Sequence, residues 1–132
     1  MNNYFLAFLI LFSNSALAAE WQSTKDGIAI LDKESNYSAV VTGYDDVIFV
    51  FRQSCESEQD APVIGMVPIN GSLYSSFIYC DPKTNLKIIK PNNDETNKSV
   101  YELLEKENDL LINNKLISTK NFNQAWIEFK SK

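Results

Sequence analysis

The run Val47-Ile48-Phe49-Val50-Phe51 constrains this chain most, because all five residues are β-branched or aromatic. The run is too short for a helix and offers no polar face. It therefore reads as a strand buried on both sides near the centre of a sheet, and the rest of the chain must cover it. Apolar runs at 27–31 and 37–42 precede it, and Gly43-Tyr44-Asp45-Asp46 turns the chain into it. After it, residues 62–69 and 72–79 flank Asn70-Gly71. Asn-Gly between two apolar runs signals a hairpin, because both turn positions need positive φ. Pro68 cannot donate to a ladder, so its strand belongs at a sheet edge or carries a bulge.

Leu86-Lys87-Ile88-Ile89 is a sixth short strand, and the polar residues 92–97 read as a flexible loop. The period then changes. Val100, Leu103 and Leu104 mark one helical face, with Ser99 as its cap and Glu102 three residues on. Residues 109–118 return to strand character around a tight Asn113-Asn114 turn. Phe122, Ala125, Trp126 and Phe129 give one apolar face of a terminal helix. The expected class is α+β: a mostly antiparallel, sandwich-like β-sheet with one or two short helices near the C-terminus and one disulfide.

The N-terminus points to export. Residues 4–12 are apolar but too short for a membrane span, and Ala16-Leu17-Ala18 fits the small-x-small rule for cleavage. Residues 1–18 therefore read as a signal peptide cut between Ala18 and Ala19, with residues 19–132 as a single α+β domain. Met1-Asn2-Asn3 lacks Lys or Arg, which is off pattern. The competing readings are an uncleaved anchor and a buried N-terminal helix. With cleavage, the protein is expected in the periplasm or outside the cell, with no stable membrane insertion. An even cysteine count agrees, so Cys55 and Cys80 are expected to pair rather than remain two buried thiols. A plain meander would set them two strand spacings apart, about 10 Å. The expectation therefore puts the fourth strand at the edge and the fifth beside the third. In the alternative, both cysteine loops curl over the end of the fourth strand.

Several chemistries are made unlikely. The 17 acidic side chains exceed the 12 basic ones, which argues against nucleic acid and against anionic lipid. The chain holds no histidine, which removes Ser-His and Cys-His nucleophile systems and His-containing zinc sites. No phosphate-cradling glycine pattern is present, and no cofactor is implied. Glu56, Glu58 and Asp60 form an acidic loop after Cys55. It lacks the glycine and the closing glutamate of a calcium loop, so the readings left are a solvated loop or an acidic finger for a basic cleft. A carboxylate pair for glycoside cleavage stays open, since spacing in sequence does not give separation in space.

The segment 100–106, the strand Leu110-Leu111-Ile112 and Phe122-Asn123-Gln124-Ala125-Trp126 together have a familiar order. It resembles the end of the VasI-like, type VI secretion-associated periplasmic proteins, where a helix, a strand and a Phe-led helix close a β-sandwich-like domain. Residues 49–55 are similar to that family's strand ending in cysteine, and the invasion-associated locus B family has a comparable layout. Aspartate-glycine turns are absent and the cysteine placement differs, so no binding residue carries over. The resemblance implies a bacterial envelope protein without enzymatic activity. Two functions are expected to compete with a carboxylate hydrolase. One is stoichiometric binding of another envelope protein, a basic one included, as an inhibitor, an immunity protein or a secretion accessory, with Glu56, Glu58 and Asp60 in the contact. The other is a small-ligand or glycan module using Tyr44, Tyr74 and Tyr79.

Overall fold

The computed structural model describes residues 19–55, 61–106 and 109–132. The segment 1–18, with its expected cleavage site, and the loop residues Glu56, Glu58 and Asp60 lie outside the described residues. Among the described residues, nine strands run in chain order: β1 (Gln22–Ser23), β2 (Gly27–Asp32), β3 (Tyr37–Thr42), β4 (Val47–Arg52), β5 (Val63–Ile69), β6 (Ser72–Asp81), β7 (Leu86–Pro91), β8 (Leu110–Ile112) and β9 (Lys115–Ile117). Helix α1 (Asp94–Glu105) follows β7, and α2 (Phe122–Lys130) follows β9. The strands form one sheet in the order β1-β2-β3-β4-β7-β6-β5-β8-β9, with every ladder antiparallel. The mostly antiparallel sheet with two short helices matches the pattern of the sequence. Its sandwich-like enclosure comes from one sheet curling into a half-barrel.

Cross-strand partners point to the same face, so the register identifies the concave side. Ile30, Ala39, Phe49, Ile89 and Ile78 are paired in one row across five strands, and Ile28, Val41 and Val47 in the next. Most of these side chains are fully buried, with α1 contributing Val100 and Leu104 and α2 contributing Phe122 and Ala125. Phe49 and Phe51 sit at the middle of this core, as the β-branched and aromatic run requires. Gly27, at φ 156°, starts β2 where an added Cβ would collide with the backbone of Val41 and Thr42, so only glycine fits there.

The open side of the half-barrel is closed by a seam. The Trp21 amide donates to the Lys120 carbonyl at 3.0 Å, and its indole Nε1 donates to the Ser118 carbonyl at 2.7 Å. The Asn121 side chain returns a bond to the Trp21 carbonyl at 2.8 Å, and the Tyr37 hydroxyl accepts from the Ser118 amide at 3.1 Å. The Trp21 ring stands edge-on to Phe122 at 5.0 Å. The two end strands of the sheet, β1 and β9, are thereby tied together.

Two expectations need correction. The fourth expected strand, β5, is not at the end of the sheet, since β8 and β9 follow it in the order, and the fifth, β6, does not lie beside the third, β4; β7 lies between them. Cys55 is three residues past the end of β4, and three extended residues reach about 10 Å. The chain uses that reach to cross the start of β7, where the Gln53 amide donates to the Asn85 carbonyl at 3.0 Å. The expected bridge then forms with Cys80 on β6, at a Cα separation of 5.7 Å. The second correction concerns residues 92–97, which are not a loop. Helix α1 begins at Asp94, and its cap is Asn93, not Ser99. The Asn93 side chain accepts from the Thr96 amide at 2.9 Å, and Asp94 and Glu95 place negative charge at the positive end of the helix.

Candidate functional site

The β3–β4 turn is built around Thr42. Its carbonyl accepts from the Asp45 amide at 2.9 Å, and its hydroxyl accepts from the amides of Tyr44 and Asp46, each at 3.3 Å. Asp45 takes the left-handed conformation at φ 68°, which Asp tolerates better than most residues. This geometry throws Tyr44 into solvent, where it is 91% exposed. Asn97 on α1 then fastens the turn to the helix. Its side chain donates to the Asp45 carbonyl at 2.7 Å and accepts from the Val47 amide at 2.9 Å.

Between turn and helix lies a groove of about 520 Å³, walled by Tyr44, Asp45, Asp46, Asp94, Asn97, Lys98, Tyr101, Glu102 and Glu105. Five carboxylates thus face one lysine. Two of them, Glu102 and Glu105, stand near the C-terminal end of α1, where the helix dipole disfavours negative charge and the last turn holds no basic residue. The arrangement costs the helix some stability and deepens the negative potential of the groove. Among the described residues the one ion pair is Lys120 to Glu20 at 3.7 Å, away from this site. The groove carboxylates therefore have no cation of their own in contact, and the site suits a guanidinium or ammonium group from outside.

Tyr101 forms part of the lining and packs edge-on against Trp126 at 6.0 Å and Phe122 at 5.7 Å. Burial, then the charges of Glu105 and Asp45, push its phenol from 10.0 up to about 12. The folded chain thus holds this proton at pH values where the unfolded chain has lost it. The resulting stability is complete below pH 10 and is lost as the pH rises from 10 to about 12. Subtracting the tyrosinate absorbance titration of Tyr101→Phe from that of the native protein should give a curve centred near 12, and Glu105→Gln should move it down. A difference curve centred at the ordinary phenol value would refute this description of the groove wall.

The structure places the sequence-derived candidates apart. Cys55 and Cys80 are joined, while Glu56, Glu58 and Asp60 lie outside the described residues. Tyr44 stands at the acidic groove, whereas Tyr74 and Tyr79 lie on β6 with an odd spacing that puts them on opposite faces. The three tyrosines do not make one stacking platform. Trp126 is partly buried against the core, stacked on Phe129 at 5.5 Å, with the Lys130 ammonium 5.0 Å from its ring centre. Among the described residues no group of carboxylates or cysteines is arranged to hold a metal ion. None of the described helices is long and apolar enough to cross a membrane.

Reading residues 92–97 as a loop hid the groove, because α1 supplies six of its nine wall residues and two of these, Asp94 and Asn97, lie in that segment. The signal that would have found it is Asn93 followed by Asp94-Glu95, a capping residue before an acidic first turn. Comparison with known protein families, curated proteins and solved structures finds no match to this chain.

Proposed function

We propose that this chain is an exported protein of the bacterial envelope that acts by stoichiometric binding of a basic protein, without catalysis of its own. The observation that carries the reading is the groove between the β3–β4 turn and α1, where five carboxylates meet one lysine beneath an exposed tyrosine. A tyrosine beside unpaired charge is a common anchor in protein interfaces, since it brings large contact area at low entropy cost. An inhibitor or immunity protein directed at a cell-wall hydrolase, or a secretion accessory as the VasI-like resemblance implies, fits this chemistry. The disulfide suits an oxidising compartment, the periplasm or the extracellular space. The loop residues Glu56, Glu58 and Asp60 add carboxylates to the same acidic chain and belong to the proposed contact.

The test compares the mature protein with two charge-neutralised forms. The groove form carries Asp45→Asn, Glu102→Gln and Glu105→Gln; the loop form carries Glu56→Gln, Glu58→Gln and Asp60→Asn. Envelope extract is passed over each immobilised protein, and the retained proteins are identified and titrated back. The native protein should retain a basic protein at one-to-one stoichiometry. The groove form should bind it at least about tenfold more weakly at low salt, a loss of about 1.4 kcal/mol, with the difference shrinking as salt rises. Equal binding by native and groove forms would remove the groove from the interface. Multiple turnover of a cell-wall substrate by the pure domain would overturn the binding reading itself.

A further inference from the structure

Residues 61–80 contain no charged side chain, in a chain with 12 basic and 17 acidic ones. This neutral stretch supplies β5 and β6. Their hairpin closes through Asn70 and Gly71, both at positive φ, with Ile69 opposite Ser72. A two-residue turn makes that closing pair a hydrogen-bonded one. By alternation, Val67, Gly65 and Val63 turn their backbone groups toward β6, while Ile64, Met66 and Pro68 turn theirs outward. On that outer side β8 meets β5 at Ile69 alone. Beyond this point the β8–β9 turn swings across the concave side, where Asn113 binds Lys87 at 3.0 Å and Gln53 at 2.7 Å. Among the described residues, no strand runs beside Ile64 and Met66.

The side chains at this edge are also uncovered. Ile64 is 62% exposed and Met66 58%, and on the neighbouring strand Leu73 is 60% and Phe77 37% exposed. All four share the convex face of the sheet. Sheet edges of this kind are normally guarded by a lysine, a bulge or a covering segment. Here the described residues supply none of these beside Ile64 and Met66; the guards present are prolines, Pro62 and Pro68, at the two ends of the strip.

We propose that the β5 edge pairs with the same edge of a second copy of this chain, antiparallel about a two-fold axis through Gly65. In this register Ile64 faces Met66 of the second copy, and each such pair exchanges two hydrogen bonds through groups already turned outward. The next outward positions set Pro62 against Pro68 of the second copy. Neither has an N–H, so the ladder ends there without stranding a donor. A shift of two residues would set Ile64 against Pro68 and lose part of the pairing. Gly65 meets Gly65 of the other copy at the axis with no side chains to clash. The edge is self-complementary in hydrogen bonds and in apolar surface, and it has no charge with which to select a basic partner. Two copies with net charge −5 each repel, and the uncharged strip is where they approach at least cost. The acidic groove lies on a different part of the fold, so this inference stands apart from the binding reading.

The experiment is sedimentation velocity of the disulfide-intact mature protein over a series from roughly 1 to 100 µM, paired with amide hydrogen exchange. Reversible dimerisation is expected, strengthened by salt, with exchange at the Ile64 and Met66 amides slowing as concentration rises. Met66→Pro removes an outward donor without touching the β6 ladder and should weaken the dimer at least tenfold. Should that variant fail to fold, Ile64→Lys puts a charge on the same edge and should have the same effect. A monomer at every concentration overturns the proposal. So does a dimer in which the Ile64 and Met66 amides exchange freely.

Discussion

Trp21→Ala is expected to cost about 4 kcal/mol, near the top of the range for a single substitution in a domain of this size. The indole is fully buried, and it is the seam's main contact with both the β9 end and α2. Truncation leaves a cavity beside Phe122 and strands the Ser118 carbonyl that the indole satisfies. Trp21→Phe separates the two effects: it keeps most of the apolar volume, loses the hydrogen bond and should cost about 2 kcal/mol. Urea unfolding of the three proteins, followed by far-ultraviolet circular dichroism, gives the comparison. Equal midpoints for native and Trp21→Ala proteins would show that the seam does not close the half-barrel.

Reduction of Cys55–Cys80 is the second large effect. The bridge joins residues 25 apart in sequence, and closing such a loop stabilises by about 3.5 kcal/mol on the chain-entropy account. The melting temperature should fall on the order of 10 °C when the bridge is reduced or replaced by Cys55→Ser with Cys80→Ser. The loss has a local consequence as well. The bridge fixes the segment that crosses the start of β7, so the end of β4 and the β6–β7 turn should gain hydrogen-exchange rate before the core does. A thiol count of two in the native, unreduced protein would refute the bridge.

The strands and the hairpins were largely legible because their signals are local. The Val47–Phe51 run sits in the core as β4. Asn70-Gly71 and Asn113-Asn114 are tight turns with positive φ at both positions. Among the described residues, all seven non-glycine residues with positive φ are Asn or Asp, so in a chain with four glycines the turns were marked by asparagine. The spacing of Phe122, Ala125, Trp126 and Phe129 gave the terminal helix its inward face for the same reason. Strand order was not legible. Period-two alternation tells which face a residue occupies and says nothing about which strand is its neighbour. The cysteine constraint pointed to the wrong neighbour because it placed Cys55 at the end of β4, while the chain had three residues to spare. The groove was missed because α1 starts with a turn of polar residues, and apolar periodicity begins only at Val100. A capping interaction announces such a start, and it is a weaker signal than a stripe of leucines.

The seam also bears on the order in which the chain becomes available to fold. Its hydrogen bonds join positions 81 to 100 residues apart. A polypeptide is synthesised from its N-terminus, so Trp21 waits for Ser118, Lys120 and Asn121. Until they arrive, the indole and the concave face stay open, and the half-barrel has no closed state to fall into. A chain stalled or cut before residue 118 would therefore remain recognisable to proteases by its own exposed interior. Only a chain made through residue 121 hides it, so the turn before α2 reports to its surroundings whether the half-barrel can close.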